Sequence, residues 1–195
     1  MRPSGLRADM QTVSLADIVP TSWKNQRGTT QELLAWPATD HWQVRLSVAT
    51  IDQSGEFSRF EHITRWFSVI DGAGVALRIG DHLSSLNCHS PPLCFDGGKP
   101  CQATLNSGVV HAFNVMLGSG LEGQVARLRS GESVDLGSAE FVAIYSVESA
   151  TCQFAQEIVS MCAGELHWTA NAKGYLDRVL MHSGHGLVVL AKKIS

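Results

Sequence analysis

Long apolar runs are missing from this sequence of 195 residues. Leu187–Ala191 is as long as any, far short of the roughly 20 residues that a membrane-crossing helix needs. Runs of one charge are missing too. Lys192–Lys193 is the longest basic run, and 15 Lys and Arg against 18 Asp and Glu leave a formal charge of −3. Such a balance carries no electrostatic footprint for nucleic acid or for an anionic membrane surface, so neither is expected as a partner. The stretch from Met1 to Met10 holds no apolar segment of the secretory type, and a cytoplasmic protein is expected. Cysteine is sparse and odd in number: Cys88, Cys94, Cys101, Cys152 and Cys162. Without an export signal these read as reduced thiols, not as a disulfide framework.

The common catalytic and metal signatures are absent as well. There is no P-loop, no Gly-x-Ser-x-Gly elbow and no dinucleotide fingerprint. None of His41, His62, His82, His89, His111, His167, His182 and His185 forms a His-x-His pair. The spacing of His182 and His185 suits a helical face better than a strand. Cys88, His89, Cys94 and Cys101 do not have a standard zinc spacing, and Pro91 and Pro92 between them suit an ordinary loop. The expectation is no metal and no other cofactor.

What is present is period-2 alternation. In Trp42–Val48 the apolar side chains fall on one face and Gln43, Arg45 and Ser47 on the other, as in a half-buried strand. Val75–Ile79 and Val109–Val115 alternate likewise, while Phe141–Tyr145 and Leu187–Ala191 read as more deeply buried strands. Asp71-Gly72-Ala73-Gly74, Asp96-Gly97-Gly98, Leu117-Gly118-Ser119-Gly120 and Ser183-Gly184-His185-Gly186 punctuate these runs as turns. Helix signals are few. Ser14–Ile18 fits one turn capped by Ser14, and Gln153–Met161 fits a helix or a strand. His82–Cys101 reads as irregular. The length suits one domain, and the pattern predicts an all-β sandwich or barrel with few short helices. A midpoint near Leu105–Gly108 would separate halves at approximately 11–105 and 106–195.

Chemistry concentrates in Trp23–Glu32, where Lys24, Asn25, Arg27, Thr30 and Glu32 stand close together. Gly28 permits a sharp backbone path, and Lys24 or Arg27 could hold an anion. The plain reading of this stretch is a polar turn entering a strand, and residue chemistry alone does not choose. A second cluster, Gly55–Phe60 followed by Arg65-Trp66, could wall a pocket with Phe57 and Phe60. By composition alone, core plus surface is the favoured reading.

These residues resemble the HutD/Ves family. Trp23-Lys24-Asn25, Gly28, Thr30 and Glu32 are similar to its early Trp-Lys-Asn-Gly-rich motif. Arg45–Ala49, Gly55–Ser58 with Arg65, Asp71–Val75, Phe95-Asp96-Gly97 and Phe113–Met116 follow in the family's order. The resemblance spans roughly Trp23 to Met116, with the second half matching in texture more than in motif. Gln26-Arg27 replaces two glycines, Glu56 a proline, and Thr64 an aspartate. The resemblance implies a cupin-like, bicupin-type double-sheet fold and a bacterial protein associated with histidine utilisation. It implies a regulatory, ligand-binding role with no firmly attached reaction. The ligand would be a small carboxylate from histidine degradation, such as formiminoglutamate, urocanate or formate.

Taken with the residue chemistry, the candidate ligand-binding set is Lys24, Asn25, Thr30, Glu32, Arg45, Ser47, Ser58, Arg65, His111 and Asn114. Lys24, Arg45 and Arg65 would supply positive charge, with Arg45 or Arg65 as the carboxylate anchor. The rival is a metal-independent cupin-type isomerase or hydrolase acting on a small acid through Glu32 or His111. A third reading is an interaction protein with a vestigial pocket. The assembly is left open, a homodimer being compatible with the sequence.

Overall fold

The computed structural model describes residues 10–154, 157–173 and 176–194. Its strands in chain order are β1 (Gln11–Ser14), β2 (Thr21–Ser22), β3 (Gly28–Trp36), β4 (Val44–Ile51), β5 (Gly55–Glu56), β6 (Ile63–Asp71) and β7 (Val75–Ile79). They continue with β8 (His82–Leu86), β9 (Leu93–Asp96), β10 (Cys101–Leu105), β11 (Val110–Gly118), β12 (Leu121–Arg129) and β13 (Ser133–Asp135). The last are β14 (Phe141–Ser146), β15 (Ala150–Phe154), β16 (Glu157–Met161), β17 (Glu165–Thr169), β18 (Arg178–Ser183) and β19 (His185–Lys193). The expected turn of helix after Ser14 is a 3-10 turn, Leu15–Asp17. No helix among the described residues is long and apolar enough to cross a membrane.

The chain forms two compact units. One spans Leu15–Leu121; the other joins the segment containing β1 to the chain from Glu122 onward. The first unit holds a six-stranded sheet, β2-β3-β4-β11-β6-β9, and a four-stranded sheet, β5-β10-β7-β8. Their pairings are antiparallel. Ile51, Phe67, Val69, Val110 and Ala112 of the larger sheet share one core with Val75, Leu77, Ile79, Leu86 and Ala103 of the smaller. Each large apolar side chain so buried contributes about 1.5–3 kcal/mol relative to exposure. The second unit has the same two-sheet plan, β1-β17-β14-β19-β12 and β13-β18-β15-β16. Its core draws on Val142, Ile144, Val188 and Leu190 and on Cys152, Phe154, Met161, Val179 and Met181.

Three expectations differ from the structure. The division into units falls at Leu121, not near residue 105. Strand β11 lies beyond that expected midpoint yet pairs with β4 and β6 in the middle of the six-stranded sheet. His82–Cys101 is not irregular throughout: it carries β8, β9 and the start of β10, with Pro91 and Pro92 confined to the loop between β8 and β9. His182 and His185 share no helix; they end β18 and begin β19 on either side of a turn at Gly184. The ambiguous Gln153–Met161 resolves as strand on both sides of residues 155–156, which lie outside the described residues.

Gly28 opens β3 opposite Ile51, and a Cβ placed on it would stand 2.3 Å from the Thr50 carbonyl oxygen. Only a bare Cα fits there. Gly28→Ala is therefore expected to lower stability by about 1–3 kcal/mol through forced backbone displacement. Denaturant unfolding of the variant checks this, and an unchanged midpoint would show that the sheet gives way freely.

Candidate functional site

The inner face of the six-stranded sheet changes character along its strands. Ala49 and Ile51 of β4, Phe67 and Val69 of β6 and Ala112 of β11 are core. Two to four residues along the same strands, the same face presents Ser47 and Arg45, Arg65, and Asn114 and Met116. Period 2 keeps these on one side, while Val44, Leu46 and Val48 point to the other. Cross-strand register aligns them in rows. Glu32 stands opposite Ser47, which stands opposite Asn114; Arg45 stands opposite Met116, which stands opposite Arg65. Two interstrand steps place the Arg45 and Arg65 Cα atoms about 10 Å apart.

Here the face lines a cavity of about 630 Å³. Its walls include Lys24, Asn25, Thr30, Glu32, Arg45, Ser47, Ser58, Arg65 and Asn114, which is every candidate binding residue except His111. Trp23, Phe57, Phe60, Phe67 and Met116 supply the apolar wall. Trp23 Nε1 donates to Thr30 Oγ1 at 2.7 Å, and Phe57 meets the Trp23 ring edge-on at 5.8 Å.

The two arginines differ in their partners. Arg45 Nε donates to Glu32 Oε2 at 2.5 Å, so its charge is neutralised within the pocket. Arg65 is only 5% exposed, and no carboxylate among the described residues pairs with it. Its Nη1 donates to the Ser58 carbonyl at 3.2 Å and its Nη2 to Asn114 Oδ1 at a long 3.5 Å. Its Nε is buried with no hydrogen-bond partner. Three rings surround the guanidinium, with its carbon 5.2 Å from the Phe95 centroid, 5.6 Å from Phe60 and 5.7 Å from Phe57. Burial pulls the Arg65 pKa down to about 10; the neighbouring Cys101 thiol opposes the fall and Arg45 adds to it. Gly97 completes this seat, since a Cβ there would come within 3.1 Å of the Arg65 stem and 2.9 Å of two backbone carbonyls.

Other candidates fall elsewhere. His111 does not line the cavity. It is three residues from Asn114 along β11, an odd step that turns it to the opposite face, and its Nδ1 lies 3.3 Å from Asp71 Oδ2. Of the two residues named for an enzymatic reading, His111 is therefore outside the cavity, and Glu32 lines it but is paired with Arg45. Arg27 does not line the cavity either; its Nη1 donates to the Ser54 carbonyl at 2.7 Å, packed over Gly55. Gln26 adopts a left-handed φ of 56°, so the loop keeps a conformation that glycine would take freely. Among the described residues no three His, Cys, Asp or Glu side chains gather as a metal site. Sequence reasoning missed Met116 as a wall of the cavity and Phe95 as a ring against Arg65. Both stood within recognised motifs, but their facing Arg65 depends on register between strands far apart in the chain.

The model of the HutD family matches residues 15–186, across both units. The chain belongs to the HutD family. It is 33% identical over 96 residues to the protein Ves of Escherichia fergusonii, the match covering 48% of this chain and 50% of that protein. The chain thus spans about half the length of the curated relatives it matches. Its fold is that of HutD from Pseudomonas fluorescens SBW25, with a TM-score of 0.82 over 95% of this chain and all of that one at 23% identity. It is also similar to a variant of the cupin-type oxalate decarboxylase of Bacillus subtilis, with a TM-score of 0.64 at 9% identity over 97% and 78% of the two chains. The cupin-like double-sheet plan of this HutD-family chain follows from these.

An unpaired buried charge is costly to fold around. Replacing Arg65 with Met keeps much of the bulk and removes the charge. In the ligand-free protein Arg65→Met is expected to raise stability by about 1–4 kcal/mol, the range seen when buried ionic groups give way to well-packed apolar ones. Thermal unfolding measures it, and a clearly lowered midpoint would mean that the three aromatic faces fully compensate the guanidinium.

Proposed function

We propose that this HutD-family protein is a non-enzymatic, regulatory binding protein whose pocket takes a small carboxylate, with Arg65 as anchor. One observation carries the reading: a guanidinium almost wholly removed from water, with an Nε–H that has no hydrogen-bond partner and no ion pair to a carboxylate among the described residues. A planar carboxylate matches the guanidinium fork and would give it the charge-assisted hydrogen bonds it lacks. Arg45 is already matched by Glu32 and serves as wall. Ser47, Ser58, Asn114, Thr30 and Asn25 offer polar contacts around the anchor, and Lys24 lies near the mouth.

The cavity volume falls within the range of about 300–1,000 Å³ usual for small-molecule sites, which formate alone would leave largely empty. Formiminoglutamate and urocanate fit the space better, and the structure of HutD from Pseudomonas fluorescens SBW25 in a formate condition keeps the carboxylate class in view. The enzymatic alternative is less favoured, because His111 lies outside the cavity and Glu32, which lines it, is held by Arg45. Five free cysteines suit a reducing cytoplasm.

Calorimetric titration with formiminoglutamate and urocanate, each against its amide form, tests the reading. The acids should bind and the amides much less. Arg65→Met should weaken acid binding by about 1.5–3 kcal/mol, the worth of a hydrogen bond to a charged group, or roughly ten- to a hundred-fold. Equal affinity for acid and amide would end the carboxylate reading, and undiminished acid binding in Arg65→Met would remove Arg65 as anchor.

A further inference from the structure

The second unit holds a side-chain cluster with no part in the pocket. Cys152 Sγ lies 3.3 Å from Met181 Sδ and 3.9 Å from Met161 Sδ. The three residues come from adjacent strands of one sheet. Cys152 stands directly opposite Met181, and Met161, opposite Ala150, sits diagonally across the other ladder. Their side chains share the inward face, and each residue is at most 3% exposed. Phe154, Val179, Ile144 and Val188 belong to the same core, and the thioether residue Met10 packs against it.

We propose that Cys152, Met161 and Met181 form a three-sulfur site for a soft monovalent cation, Cu(I). Thiolate and thioether ligands select Cu(I), and a site without oxygen or nitrogen donors offers nothing to hard cations. Charge supports the choice. One thiolate and one Cu(I) make a neutral unit that an apolar core tolerates, whereas a dication would leave a net charge buried. Geometry supports it as well. Three sulfurs around a metal at about 2.3 Å, the length of a zinc–thiolate bond, stand about 4 Å from one another. The observed separations of 3.3 and 3.9 Å are close to that spacing, and the unbranched methionine side chains are the part of the cluster free to adjust. Binding is an exchange without redox: the Cys152 S–H bond breaks, a Cu–S bond forms, and the proton passes to buffer.

The test uses the full chain with Cys88, Cys94 and Cys162, the cysteines that reach solvent, replaced by Ser. Cu(I) is titrated into it anaerobically in competition with a chromophoric Cu(I) chelator. One equivalent should bind per chain, with an all-sulfur shell by X-ray absorption and a raised thermal midpoint. Cys152→Ala should abolish uptake and Cys101→Ala should not. Losing a group that merely orients a metal ligand costs about 10–100-fold in affinity, so Met161→Leu and Met181→Leu should each cost at least about that. Leucine is near enough in volume to keep the core, which an unchanged midpoint without copper verifies. No uptake by the triple-Ser protein, a nitrogen or oxygen shell, or undiminished affinity in the Met161→Leu/Met181→Leu double variant would each overturn the site.

Discussion

The guanidinium of Arg65 is kept from water with no carboxylate among the described residues paired to it, and the first unit is arranged around that constraint. Desolvating a charge costs several kcal/mol even after relaxation. The protein offsets part of this with three aromatic faces, a backbone carbonyl from Ser58 and the side-chain oxygen of Asn114. Cation–π contacts contribute about 0.5–2 kcal/mol each, and a 3.5 Å hydrogen bond is weak. The Nε–H is left with nothing. The residues that make this seat come from β6, β9, β11 and the segment after β5, so three adjacent strands and a connecting segment far apart in sequence are needed to assemble one cation site. Glu32 could have relieved the charge, but it is held by Arg45 on the neighbouring strands. Trp66 Nε1 of the same strand is also buried without a hydrogen-bond partner, but Arg65 is the charged group left incompletely satisfied.

Strand periodicity explains how much of this could be read beforehand. Alternation located the cores of β4, β7, β11, β14 and β19 to within a few residues, because each carries a run of apolar residues on at least one face. The same rule aligned Arg45 with Ser47 on one face. It also shows why His111 was misplaced: an even step from Asn114 shares its face, and a step of three does not. Arg27 was misplaced for a different reason. Its neighbours in sequence line the cavity, but its own side chain follows the loop to the Ser54 carbonyl, a contact across 27 positions. Which arginine has a carboxylate partner depends on registers between β3 and β4 and between β6 and β11, and no local pattern encodes these. The short edge strands β8 and β9 escaped notice because exposed His82, Leu83, Cys94 and Asp96 break the alternation.

Gln26 and Arg27 stand where the resemblance to the HutD/Ves motif would put two glycines, and their local geometry accounts for their being tolerated. The turn from Trp23 to Gly28 is closed by hydrogen bonds from Gln26 N to Trp23 O and from Trp23 N to Gly28 O. Gln26 holds the left-handed conformation at a cost of about 1–2 kcal/mol, so the backbone path survives the loss of glycine. Arg27 then uses its side chain to fasten the loop to the Ser54 carbonyl. Pinning the loop this way holds Lys24 and Asn25 at the rim of the cavity without placing a further cation inside it. The pocket therefore keeps a single unmatched buried guanidinium.

The two units share a sheet plan and differ in what fills it. In the second, Phe154, Met161, Met181 and Leu190 occupy the interior between the sheets, with Cys152 among them. In the first, the corresponding space is apolar only toward Ile51 and Val69; further along, Glu32, Ser47, Arg45 and Asn114 replace the bulky residues and the interior opens. Polar side chains cannot close such a space without finding partners for every donor and acceptor. Arg65 and Asn114, already facing each other at long range, do not supply them. A hollow lined this way is stable because water or a ligand completes it, while a filled apolar core needs neither. An open pocket and a filled apolar core thus fall to different halves of one chain. A change that fills the first interior, such as a large apolar residue at Ser47, would gain packing there only by removing the space that the unmatched guanidinium faces.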